Sequence, residues 1–69
     1  MSFLGDRFKQ EREARDVAIL QIEIDTRIRA NVIQAIEDGD YASLPPEPFL
    51  RGLIRSYANY LGIDPQEMV

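Results

Sequence analysis

The stretch Ala30-Asn31-Val32-Ile33-Gln34-Ala35-Ile36-Glu37-Asp38-Gly39 decides the fold. Val32, Ile33 and Ile36 recur at the spacing of one helical face and Ala35 completes it, which predicts a helix over residues 30–38. Gly39 supplies the stop expected just past a helix end. Upstream, Ile22-Glu23-Ile24-Asp25 alternates like a strand, and Ile and Val are mediocre helix formers. A lone strand of four residues has nothing here to pair with, so a short helix over residues 19–25 is expected. Leu4 and Phe8 lie one turn apart on a face that Arg12 and Arg15 continue, predicting a first helix over residues 3–15.

Downstream of Gly39, the cluster Pro45-Pro46-Glu47-Pro48 forces an extended connection. Pro48 is well placed in the first turn of a fourth helix that runs to Leu61 and ends at Gly62. Asp64-Pro65-Gln66-Glu67 then reads as another helix start, with an Asp cap, Pro at the first position and a following Glu. The sequence ends barely one turn later, at Val69, which suggests a fragment of a longer protein.

The chain has 69 residues, room for one small domain, and 45% of them are hydrophobic, enough for a compact core. There is no Cys and no His, which excludes disulfides and thiol nucleophiles and leaves only carboxylates, a poor zinc cage. No apolar run approaches the ~20 residues that cross a bilayer. Glu37, Asp38 and Asp40 surround a helix end with no pocket-forming context, and the four Gly are scattered singly rather than gathered in a phosphate loop. The expectation is a soluble interaction domain of a reducing compartment. It is not an enzyme, and no catalytic residue, metal ligand or cofactor is assigned. The formal charge of −4 is concentrated: residues 1–29 and 51–69 each sum to zero, and Glu37, Asp38, Asp40 and Glu47 leave residues 30–50 without a single Lys or Arg.

Two short helices, a tight connection, a third helix and a Gly make the layout of a helix-turn-helix. Leu4-Gly5 followed by Arg12-Glu13-Ala14 is similar to the opening helix of Cro/repressor-like domains. Ile36-Glu37-Asp38-Gly39-Asp40-Tyr41, then Leu44-Pro45, then Phe49-Leu50-Arg51-Gly52-Leu53-Ile54-Arg55-Ser56-Tyr57-Ala58 resembles the RodZ family, and the resemblance covers essentially the whole chain. It implies an all-α, compact five-helix lambda-repressor-like domain, its fifth helix truncated here. It implies a place at the cytoplasmic N-terminus of a single-pass bacterial membrane protein, where the domain binds the actin-like cell-shape protein MreB and helps tether its filaments to the membrane. A linker, a transmembrane helix and an extracytoplasmic part would then lie beyond Val69. The second helix departs from the family pattern: Asp16 stands where Gly is usual, Ala18 where a capping Ser is usual, Glu11 replaces a small residue, and Leu20 and Ile24 occupy ordinarily polar places.

The fourth helix carries the most functional information. Phe49, Tyr60, Leu53, Tyr57, Leu50, Leu61 and Ile54 fall on one arc of roughly 140°, wider than the ~100° of a single packing stripe. Leu50, Ile54, Tyr57 and Leu61 make a natural core face, and Phe49, Leu53 and Tyr60 form the edge expected to be partly exposed. The competing reading places all seven in the core. Family resemblance favours the exposed edge, because its filament contact uses aromatic residues at positions matching Phe49 and Leu53, the second being Leu here. Arg51 and Arg55 lie together on the polar side; Arg51 is grouped with the partner-binding set, although a solvated face is the plainer reading.

Arg12 and Glu37 match the positions of a partly buried ion pair that joins the first and third helices in repressor-like domains. As a DNA-binding alternative, Arg29, Ala30, Asn31 and Gln34 begin the recognition helix, with Asn and Gln suited to adenine and Arg27 and Arg29 to phosphates. The acidic segment 30–50 disfavours a duplex there. A third reading is self-association: Leu20 and Ile24, opposite Ile22, either form an exposed apolar patch or are core in a rotated helix.

Overall fold

A computed structural model of the chain describes residues 3–64. Helix α1 spans Phe3–Ala14, α2 Ile19–Thr26, α3 Ala30–Asp38 and α4 Glu47–Leu61, with a 3₁₀ turn at Tyr41–Ser43. The described residues form four helices and no strand, not the five helices expected; the anticipated fifth would continue from Asp64-Pro65 and lies outside the described residues. Ile22-Glu23-Ile24-Asp25 is helical despite its alternation. Tertiary burial on one side of the segment overrides a weak local preference, because only Ile22 of the four is buried.

The core is built around Phe8 of α1 and Tyr57 of α4, whose rings stack in parallel with centroids 4.5 Å apart. Ile22, Ile33, Ile36, Leu61 and Ile63 close around them, all buried. Helix α3 is the central element and packs against both α1 and α2, while α4 crosses α1 and α2 from the other side. Gly5 is what allows α1 to approach α3 so closely. A Cβ at that position would lie 2.4 Å from the Glu37 carbonyl oxygen and 2.5 Å from that of Ile36.

The α2–α3 turn is pinned by Thr26, whose hydroxyl donates to the Ile22 carbonyl and accepts from the Ile28 N–H, and by Ile28, which is buried. The reversal itself falls on Arg27, at φ 65°. Asp16, in the position where the resembled family usually has Gly, also has positive φ, 52°. A side chain in this region is uncommon and strained relative to Gly. Ala18 stands at the N-cap of α2 and supplies no side-chain bond, as its lack of a hydroxyl requires.

Along α4 the buried residues are confined to the C-terminal half of the helix. Tyr57, Ala58 and Leu61 are buried, but Leu50 and Ile54, read as core from the sequence, are only half-buried. Ala58, one turn after Ile54 and just beyond that edge of the arc, is fully buried, so the core face reaches past the large apolar residues on that side. Arg15 does not continue the face of Leu4 and Phe8. It is exposed and pairs with Glu11 one turn back on its own helix.

Candidate partner-docking surface and recognition-helix end

Three groups of side chains carry the possibilities for function, and the fold holds them apart. The first is the ion pair between α1 and α3. Arg12 Nε donates to Glu37 Oε2 at 2.7 Å and its terminal nitrogen to Oε1 at 3.0 Å, a bidentate pair, while the other terminal nitrogen donates to the Val17 carbonyl at 3.1 Å. The Glu37 side chain is fully buried and that of Arg12 nearly so. Tyr57 completes the group by donating its hydroxyl to Glu37 Oε2. Burial, and then the bond to Glu37, pushes the Tyr57 phenol far above its usual range, so it stays a donor at any physiological pH. The bond to Glu37 likewise raises the Arg12 guanidinium. Three helices are thus joined at one carboxylate. Sequence reading found Arg12 and Glu37 and missed the Tyr57 hydroxyl; the signal was that a Tyr placed on a core face must find a partner for its O–H.

The second group is the start of α3. Arg27, Arg29, Asn31 and Gln34 are exposed, and Ala30 is half-buried. The Gln34 amide donates to Asp38 on the next turn. The Ala30 N–H, one of the unsatisfied donors of the α3 N-terminus, donates to Glu23 Oε2 at 2.6 Å. A carboxylate from α2 therefore stands where the positive end of the helix dipole would meet a phosphate. Nothing in the spacing of Glu23 announced this role. The acidity of segment 30–50 is also smaller at the surface than its composition: Glu37 is buried against Arg12, and Glu47 pairs with Arg51, leaving Asp38 and Asp40 as the exposed carboxylates without a basic neighbour in these pairs.

The third group is the outer edge of α4. Phe49 is 70% exposed, an unusual state for a Phe in a domain this small. Leu53, one turn on, is half-buried and packs against the core. Arg51 is exposed and held by Glu47 at 3.3 Å. Tyr60 does not join this edge: it lies eleven residues from Phe49, about 16 Å along the helix axis. It is half-buried and donates its hydroxyl to Asp25 of α2, a latch between two helices. That bond, with a second from Gln21, holds the Asp25 carboxyl below its ordinary value and raises the Tyr60 phenol.

On α2, Leu20 and Ile24 are 64% and 71% exposed, so the helix is not rotated to bury them. They share one exposed face. No curated protein and no solved structure matches the chain. A family model described as a helix-turn-helix domain matches residues 7–68, which takes in α2, the Arg27 turn, α3 and α4, and the chain belongs to that helix-turn-helix family.

Proposed function

We propose that the domain is a non-enzymatic adaptor on the cytoplasmic face of a bacterial inner membrane, binding actin-like MreB filaments and helping to tether them for cell-shape maintenance. The observation that carries this reading is Phe49, an aromatic side chain left 70% exposed on a helix whose other aromatics are engaged internally. Exposed aromatic anchors are characteristic of protein-binding surfaces. Phe49 inserts into the filament, Leu53 extends the contact from its outer half, and Arg51 lies beside them. The RodZ-like run from Phe49 to Ala58 supplies the identity of the partner. Against a DNA-reading role stands Glu23, which occupies the first amide of α3 and adds a negative charge where a duplex would bring its own.

Co-sedimentation with MreB filaments from the same organism tests the proposal. The wild-type domain pellets with filaments, and Phe49→Ala does not, while the variant keeps the helical circular dichroism and a thermal midpoint close to wild type. A large loss of stability in that variant would make Phe49 a core residue and remove the anchor. If neither protein pellets and a labelled duplex is bound at low salt, with binding collapsing as salt rises, the domain is a DNA reader.

A further inference from the structure

Helix α2 carries apolar side chains on two opposite faces. Ile22 is fully buried, while Leu20 and Ile24, two residues before and two after it, stand exposed on the other side. The pair lies one helical turn apart and forms a single apolar ridge. The two carboxylates of α2 are drawn to its flanks, away from that ridge. Asp25 accepts from Tyr60 of α4 and from Gln21, and Glu23 accepts the Ala30 N–H at the start of α3.

The ends of α2 decide what covers the ridge. Asp16 stands four residues before Leu20 and Arg27 three residues after Ile24; both are exposed, and neither enters an ion pair among the described residues. A negative end, an apolar centre and a positive end make a pattern that is complementary to its own reverse. A two-fold axis level with Ile22 lays Leu20 of one copy on Ile24 of the other and brings each Arg27 to Asp16 of the opposite copy, so every contact is made twice, as an isologous interface requires. Parallel docking would set like charges together at both ends. We infer that a second copy of this chain covers the ridge in an antiparallel pairing of α2 helices, with Leu20 and Ile24 at the centre and Asp16–Arg27 ion pairs at the ends. Phe49 lies about 16 Å along α4 from the Tyr60 latch to α2, so this surface is separate from the α4 edge and the inference does not depend on the adaptor reading.

Two apolar side chains from each copy bury less than the ~1,200 Å² of a stable interface, so the dimer is weak and fills at concentrations on the order of 0.1–1 mM. Sedimentation equilibrium of the 69-residue chain over roughly 10 µM to 1 mM tests it, in about 0.15 M salt to screen the net charge of −4 on each copy. The average mass of the wild type climbs with concentration from 7.9 kDa toward twice that value. The double variant Leu20→Gln, Ile24→Gln keeps the charge and the helical circular dichroism and stays at the monomer mass. Asp16→Arg and Arg27→Asp each weaken association about tenfold or more, because each sets like charges together at both ends. An equimolar mixture of those two variants associates again, since every end then joins opposite charges. A wild type that stays at 7.9 kDa up to the highest concentration overturns the inference and leaves the ridge to a different protein. Association undiminished in the Leu20→Gln, Ile24→Gln variant places the interface elsewhere and overturns it too. Charge variants that associate as the wild type does, or a mixture that fails to recover, overturn the antiparallel pairing.

Discussion

Replacing Arg12 by alanine should come close to unfolding this domain. The guanidinium makes two bonds to Glu37 and one to the Val17 carbonyl, and the Glu37 side chain has no access to solvent. Arg12→Ala leaves that carboxylate with the Tyr57 hydroxyl as its remaining side-chain donor. Breaking one side of a buried pair costs about 3–5 kcal/mol, because the surviving charge is left desolvated without its counter-ion. A chain of 69 residues has a total stability of roughly 3–10 kcal/mol. The loss is therefore about three-tenths of the total at the least. In urea denaturation followed by circular dichroism, with a slope of about 1 kcal/mol per molar, the midpoint should fall by about 3 M or the folded baseline should vanish. Pairing Arg12→Leu with Glu37→Gln separates lost attraction from stranded charge. The amide oxygen still accepts from Tyr57 and no buried charge remains, so the double variant should be more stable than Arg12→Ala. An Arg12→Ala unfolding free energy within about 0.5 kcal/mol of wild type, the range of an ordinary surface change, would refute the reasoning.

Other outcomes follow from the same contacts. Gly5→Ala places a methyl within 2.5 Å of two α3 carbonyl oxygens that belong to backbone and cannot swing aside; α1 must move off α3, and the unfolding free energy from urea denaturation should fall by about 1–3 kcal/mol of overpacking despite the gain in helix propensity. The Tyr60–Asp25 latch sets a pH window. Asp25 is held below its ordinary value, so its contribution is present above about pH 4 and is lost as pH falls through the lowered value; Tyr60 is raised, so its contribution is lost as pH rises through the alkaline range. Tyr60→Phe should flatten both limbs of the stability profile, and thermal scans from acid to alkaline pH that superimpose for the two proteins would exclude the latch.

The helical segments were legible because apolar spacing is a direct record of which side of a helix faces the core. Val32, Ile33, Ala35 and Ile36 define α3 to the residue, and Gly39 ends it at φ 69°. What escaped was information that spacing does not hold. The pairing of Glu37 with Arg12 is read from the resemblance to repressor-like domains and not from composition, since a formal charge count is blind to pairing and includes Glu37 among the four acidic residues of segment 30–50. Arg27 gave no sign of a positive φ, because the turn takes its shape from Thr26 and the buried Ile28 on either side and imposes it on whichever residue lies between. Tyr60 shared an angular sector with Phe49, yet an angle around the axis says nothing of distance along it, and about 16 Å of axis separates the two residues. At the α4 edge, Phe49 is exposed and Leu53 half-buried, as the partly exposed edge read from the sequence requires.

A helix-turn-helix fold does not by itself imply a DNA reader. Groove reading needs the start of α3 free to receive anions and bases, with basic groups around it. Here Arg27 and Arg29 are in place, but the first amide of α3 is already satisfied by Glu23, and Gln34 is turned to Asp38. An approaching phosphate would have to displace an internal carboxylate at 2.6 Å, or sit beside it and be repelled. The α4 edge has no such competitor: the Phe49 ring is uncovered and the backbone at Gly52 is open. The contacts that build the turn thus place a carboxylate at the start of α3, whereas exposed apolar side chains lie on the outer faces of α2 and α4.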